Sequence, residues 1–266
     1  MKKLIKISSL ILTLVLTLTL AGCSSKKTSS ASDEIQKIKD RGTLKVGVKV
    51  DVPKFGYKDP ATGKIDGFEI DIAKAIAKKI LGDENKVEFQ AVTAKTRGPL
   101  LDSGEIDMVA ATFTITEERK KSYNFSDSYF TDGVGLLVKK ASGFKSFKDL
   151  DGKTIGVAQS ATTKKALQAE ADKQGLKIKF AEFASYPEIK TALTSGRVDC
   201  FSVDGAILAG YLDDNTVILS DKFSPQEYGI ASKKTNTALA KAINDTITEL
   251  KNSGDLQKLV EKWGLK

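Results

Sequence analysis

The sequence predicts an α/β protein of two lobes, joined by two hinge strands around a central ligand cleft. Three observations carry this. LDSGEIDMVAAT (101–112) and LTSGRVDCFSVD (193–204) are two copies of one pattern, Leu-x-Ser-Gly-x-Ile/Val-Asp followed by an apolar run. Strand-like and helix-like segments alternate along the chain, as in lobes whose sheets are covered on both faces. Two apolar strand-like runs, VGLLVKK (134–140) and YGIASKK (228–234), lie where the chain would cross between lobes and return.

The chain opens on MKKLIKISSLILTLVLTLTLAGC. Lys2, Lys3 and Lys6 form a basic stretch, and residues 10–20 form an apolar stretch too short for a comfortable membrane span, so residues 1–22 read as an export signal. SSKKTSSASDE then lacks large apolar residues, so 23–38 is expected to be a flexible tether. GTLKVGVKVD places Leu44, Val46, Val48 and Val50 in strand alternation. GFEIDIAKAIAKKILG puts Phe68, Ile72, Ile76 and Ile80 on one helix face, with Gly82 beyond the end. Residues 87–92 read as a strand. Pro99 suits the first turn of the next helix, which leaves Arg97 on a strand-to-helix turn.

Each half-copy reads as a helix ending at a glycine, Gly104 or Gly196, that feeds a strand. AATFTITEER (110–119) alternates threonine with apolar residues, as a strand with one hydroxylated edge and Arg119 at its exit. Residues 154–158 predict a strand leading through Gln159, Ser160 and Ala161 into a helix that starts at Thr162 or Thr163 and runs to Gly175. Ser160 or Thr162 could cap that helix, and its free N–H groups could also receive an anion. The final stretch, from Thr237 to Gly264, reads as helix. Two crossings return the C-terminal part to the first lobe, giving lobe one as 39–136 plus 228–266 and lobe two as 137–227.

Composition narrows the chemistry. Of 266 residues, 41% are hydrophobic and 29% charged, which is ordinary for a folded protein. There is no histidine, which removes His acid–base catalysis, Ser–His triads and His metal sites. No cofactor or metal is expected. The net charge is +8, with Lys and Glu scattered, so no nucleic-acid stripe is seen. Cys200, in an apolar run, reads as a small core residue.

The half-copies locate a site, because ligands of open α/β sheets sit beyond the carboxyl ends of strands. Thr112 and Asp204 stand five residues after Asp107 and Asp199 and are pseudo-equivalent. The inventory at these strand ends is Arg97, Arg119, Asp204, several hydroxyls including Thr112 and Thr114, and a helix start. An acidic amino acid, with two carboxylates and one ammonium, mirrors those charges, and a guanidinium fork suits a carboxylate.

GFEIDIAKAIAKK, LLDSGEIDMVAATFTITEERKKSYNFSDSYF, GVAQSATTKK and SGRVDCFSVDG resemble the polar amino-acid solute-binding proteins of bacterial ABC importers (solute-binding protein family 3), from about residue 40 to the C-terminus. AKTRGPLLDSG and VDCFSVD are most similar to the aspartate/glutamate-binding members. The resemblance implies a type II periplasmic-binding-protein-like fold and no enzyme activity. It also implies a monomer that delivers an amino acid to a permease and its ATPase. Arg119 would hold the α-carboxylate, with Thr112 and Thr114 on the ligand backbone. Thr162 would donate from the second lobe, Asp204 would accept from the ammonium, and Arg97 would pair with the side-chain carboxylate. Lys49 and Tyr186 match cleft positions of the acidic-ligand group. Leu20-Ala21-Gly22-Cys23 resembles a lipobox, which implies acylation of Cys23 (palmitate type) and anchoring on the outer face of the cell membrane. Two departures stand out. Arg97 lies where many relatives carry a neutral aromatic stretch, and VDVPKFGYKDP lacks a common PPF segment, so Phe55 and Tyr57 are expected only to pack. Glutamine is the second ligand considered. A dehydratase-type enzyme, for which Glu118 is the acid to examine, and an adhesin or sensor are the alternatives of other classes.

Overall fold

The computed structural model describes residues 31–265, and the expected signal segment and Cys23 lie outside them. Helix α1 (Ala31–Arg41) opens the fold and packs on the C-terminal helices, with Ile38 buried. The expected tether, 23–38, therefore overlaps a helix from Ala31. Ile35 and Ile38, three apart, supply the apolar edge that a Ser-rich composition hid.

The chain then runs through β1 (Leu44–Val48), a separate small sheet of β2 (Asp51–Val52), β3 (Gly56–Lys58) and β4 (Ile65–Asp66), and then α2 (Phe68–Leu81), β5 (Val87–Ala91), α3 (Arg97–Ser103), β6 (Met108–Ala110), α4 (Glu117–Ser122) and β7 (Tyr123–Phe125), with β1, β5, β6 and β7 in the first sheet. β1 lies between β5 and β6, parallel to both. The strand expected through AATFTITEER stops at Ala110. Thr112 takes φ 44°, a left-handed conformation that ends the ladder, and Thr114 keeps one isolated bridge to Tyr228.

The second sheet begins with β8 (Phe130–Lys139), followed by β9 (Thr154–Ala158), α5 (Thr163–Gln174), β10 (Lys179–Phe183), α6 (Tyr186–Ser195), β11 (Cys200–Asp204), α7 (Gly205–Ala209), β12 (Thr216–Ile218) and β13 (Phe223–Tyr228). Here β9 lies between β10 and β11, the same arrangement as β1 in the first sheet. The chain returns through β14 (Ala231–Lys233), which joins the first sheet between β6 and β7, and ends in α8 (Thr237–Asn252) and α9 (Asp255–Lys262). The C-terminal helix expected as one piece is broken at Gly254, φ 75°.

The first crossing is Ser126–Tyr129, not VGLLVKK. That run is the middle of β8, where Val134 pairs with Asp204 and Leu137 with Phe201. The second sheet therefore starts at Phe130 rather than at 137, because an apolar run buried on both faces reads the same as a hinge or as a central strand. The two crossings run side by side. Tyr129 N–H donates to Tyr228 O at 3.0 Å and Ser126 N–H to Ile230 O at 3.0 Å.

The half-copies match in detail. Gly104 and Gly196 end their helices at φ 82° and 80°. Asp107 accepts from Lys45 N–H at 2.8 Å, and Asp199 accepts from Thr154 N–H at 2.9 Å, so each ties its loop to the start of the central strand. Above each central strand the loop residue after the glycine packs hard on a strand glycine. A Cβ built on Gly47 would meet Ile106 Cδ1 at 2.5 Å, and one on Gly156 would meet Val198 Cγ2 at 3.3 Å and, more closely, Ile189 Cγ2 at 2.6 Å. Cys200 is fully buried in the second core. Among the described residues no helix is long and apolar enough to cross a membrane.

Gly47→Ala should cost about 1–3 kcal/mol by overpacking. Because the clash is with the tip of Ile106, adding Ile106→Val should recover part of that loss, where Ile106→Val alone costs about 0.5–1.5 kcal/mol. Denaturant unfolding of the two single variants and the double variant measures the coupling, and strict additivity would contradict the packing described.

Candidate functional site

Strand ends of both sheets face one another, and the buried charged residues of the described chain, Lys49, Glu69, Arg97 and Asp204, lie there. Lys49, Arg97, Thr112, Thr114 and Asp204 are each at most 6% exposed, and Tyr186 is 4% exposed. Burial of so many polar groups in one place is costly unless they have partners, so their partners define what the site can do.

Arg97 is the first residue of α3, not a solvated loop residue. Its Nη1 donates to Ala111 O at 2.6 Å and Thr112 O at 3.1 Å, and its guanidinium lies 4.0 Å from the centre of the Phe113 ring. Arg119, in α4, lies 4.6 Å from the same ring. Its Nη1 donates to Thr114 O at 2.8 Å, and its Nη2 reaches the other lobe, donating to Ser160 O at 3.1 Å. Thr116 fixes that helix by accepting from Arg119 N–H at 3.1 Å. Burial, and next the charge of Arg97, lower the Arg119 pKa to about 9. Arg119 remains cationic at neutral pH, and burial lowers the Arg97 pKa as well.

The second lobe brings Asp204 at the end of β11. Burial raises its pKa to about 7, opposed mainly by the Tyr228 hydroxyl, which donates to Oδ2. Thr162 ends at the start of α5 but does not cap it. Its hydroxyl donates to Gln226 Oε1 at 2.7 Å, so it is turned to its own lobe, and Ser160 has a left-handed φ of 62°. Lys49 pairs with Asp51 at 2.9 Å and lies 4.5 Å from the Tyr186 ring centre, again joining the lobes. Burial lowers the Lys49 pKa. On the same seam the Tyr211 hydroxyl donates to Asp51 O.

Sequence reasoning missed Glu69, Tyr129, Tyr228 and Phe113. Glu69 is fully buried in the first turn of α2, held there by Glu69 N–H donating to Phe55 O at 3.0 Å. Its Oε1 accepts from Thr112 N–H at 2.6 Å and from the Tyr129 hydroxyl. Burial raises its pKa to about 7 against both hydrogen bonds. Nothing in GFEID separates such a residue from an acid that complements a helix N-terminus. Phe55 packs as expected, in a ring cluster with Phe68, Phe130 and Tyr228, whereas Tyr57 is 40% exposed. Glu118 is exposed. Among the described residues no acidic or Cys cluster is placed to hold a metal.

Several buried atoms here have no partner among the described residues: Arg97 Nε, Glu69 Oε2, Thr112 Oγ1 and Gln159 Oε1. The site therefore offers donors and acceptors to a small polar molecule between two cations and two carboxyls.

Known proteins resemble this chain over nearly its whole length. Residues 44–266 match the bacterial extracellular solute-binding proteins, family 3. The chain is 42% identical to the ABC transporter glutamine-binding protein GlnH of Bacillus subtilis, over 99% of this chain and 97% of that protein. It is 32% identical to the L-glutamate/L-aspartate-binding protein of Pseudomonas aeruginosa, over 86% and 79%. A mutant of ArgBP from T. maritima has a similar structure, with a TM-score of 0.77 at 37% identity, covering 86% of this chain and 98% of that one.

Tyr228→Phe removes a donor to the Asp204 carboxylate, so it should raise the Asp204 pKa above about 7. Carboxyl-carbon NMR titration of the two proteins checks the shift, and an unchanged or lower value would contradict it.

Proposed function

Because the chain belongs to the bacterial extracellular solute-binding proteins of family 3, we propose that it captures an acidic L-amino acid, aspartate or glutamate, for an ABC importer. At the coarser level it is an amino-acid solute-binding protein that works with an ABC transporter. The acidic ligand is supported above all by the arginines. Among the described residues the arginine that forms an ion pair is Arg41, with Asp107. Arg97 and Arg119 form none and are drawn around one phenyl ring. Two like charges held around one ring repel, and a ligand with two carboxylates would relieve both.

In this reading Arg119 takes the α-carboxylate and Asp204, from the other lobe, takes the ammonium. Arg97 presents Nε to the side-chain carboxylate, while Thr112 and Thr114 complete the lone pairs. Lys49 and Tyr186 close the seam beside it, and Thr162 acts through Gln226 rather than by direct contact. The ligand bridges both lobes and so favours the closed state about the paired crossings. Micromolar affinity requires about 8 kcal/mol, within reach of a few charge-assisted hydrogen bonds. In this reading the protein binds and releases its ligand unchanged. The lipobox-like Leu20-Ala21-Gly22-Cys23 fits a lipid-anchored protein on the outer face of the membrane, acting as a monomer.

Glutamine is the second reading. It is favoured by the name of the Bacillus subtilis relative and by Glu69, which lies close enough to reduce the positive charge that Arg97 presents.

Calorimetric titration with aspartate, glutamate, asparagine and glutamine separates the two. The acid of each pair should bind more tightly than its amide. Arg97→Ala should weaken the preferred acid about 100-fold and its amide by less than about tenfold. Preference for the amides, or equal losses in the variant, would contradict the acidic reading.

A further inference from the structure

Glu69 is the one fully buried carboxyl of the described site that no ligand role uses. It stands at one end of a short chain of contacts. Its Oε1 accepts from the Thr112 N–H at 2.6 Å, and the carbonyl of that same residue accepts from Arg97 Nη1 at 3.1 Å. A single residue, held at a left-handed φ of 44°, thus carries a carboxyl on its N–H and a guanidinium on its C=O. The free atoms of all three groups, Glu69 Oε2, Arg97 Nε and Thr112 Oγ1, are buried and without partners among the described residues. We infer that Glu69 is a specificity-determining residue, setting how much of the Arg97 charge the ligand side chain meets and hence the balance between acid and amide.

This rests on the reading of Arg97 as the side-chain receptor. An ionised Glu69 offsets Arg97 and lowers the advantage of a carboxylate. A neutral Glu69 leaves the guanidinium uncompensated and raises it. At the separation of a shared peptide, in a site that excludes water, a full charge is worth at least a tenfold change in relative affinity.

The groups that face Glu69 are few. From α3 comes Arg97, from the end of β1 Lys49, and from the first crossing the Tyr129 hydroxyl. Lys49 is itself paired with Asp51. Tyr186 and Tyr228 lie around Arg97 as neutral hydroxyls whose pKa values burial raises further. Glu69 is the carboxyl in this shell, and burial raises its pKa to about 7. Asp204, raised likewise, reads the ammonium that acid and amide share, so its effect cancels in their ratio.

The sign follows. As pH rises through about 7, Glu69 gains its negative charge and the acid-to-amide affinity ratio falls. Aspartate against asparagine and glutamate against glutamine are titrated at about pH 5.5 and about pH 8.5, where ligand carboxylates are ionised. In the full chain the ratio should drop about tenfold or more across that range. Glu69→Gln keeps an acceptor for the Thr112 N–H and removes the charge. Its ratio should hold the low-pH value at both pH values. A ratio independent of pH in the full chain overturns the inference, as does a Glu69→Gln variant whose ratio at about pH 8.5 equals that of the full chain at the same pH. If the amides bind better at every pH but the ratio still moves with pH and with Glu69→Gln, the acidic reading fails while the role of Glu69 stands. The wild-type pH series needs no variant to fold.

Discussion

The Thr112 peptide is the joint on which the rest of the site depends. A residue with a Cβ in the left-handed region costs energy and persists when its surroundings hold it. Here both of its backbone groups are held, the N–H by Glu69 and the C=O by Arg97. That conformation ends β6 and turns the following residues out of the sheet. It places Phe113 between two arginines and gives Thr114 O to Arg119. Remove the turn and the chain would continue as a strand, with no platform for either guanidinium.

One apolar cluster holds buried residues of both lobes, Val52 and Phe55 together with Tyr186 and Leu208, and a small number of polar contacts lie beside it. Arg119 to Ser160, Lys49 to Tyr186 and Tyr211 to Asp51 span the cleft, while Tyr228 on the return crossing holds Asp204. Those polar contacts exchange for water at little net cost. The covalent links are two crossings bonded to one another, so the lobes turn about one narrow ribbon.

Much of the fold was legible because periodicity and internal repetition carry it. The duplicated Leu-x-Ser-Gly-x-Ile/Val-Asp motif located the paired helix ends and strands, and its aspartates prove to make the same backbone bond in each lobe. Arg97, Arg119 and Asp204 were legible because charged residues stood at those strand ends. The first crossing was misplaced because VGLLVKK reads equally as a central strand or a hinge, and pairing with β11 decides it. The helical start of the expected tether rests on two isoleucines among polar residues. Glu69 was hidden because its partner is a backbone N–H forty-three positions away, a contact no local pattern encodes. Thr162 was read as facing the cleft, and Gln226, distant in sequence, takes its hydroxyl instead.

The central claim is that two arginines, Arg97 buried and Arg119 half-buried, each committed by Nη1 to backbone carbonyls, turn their remaining edges to two carboxylates of one ligand. A crystal structure of the protein grown with L-aspartate tests it most directly. The account predicts the α-carboxylate on Arg119, the ammonium on Asp204, and the side-chain carboxylate within hydrogen-bonding distance of Arg97 Nε. A bound aspartate whose side chain points away from Arg97, with Nε satisfied by water alone, would contradict it.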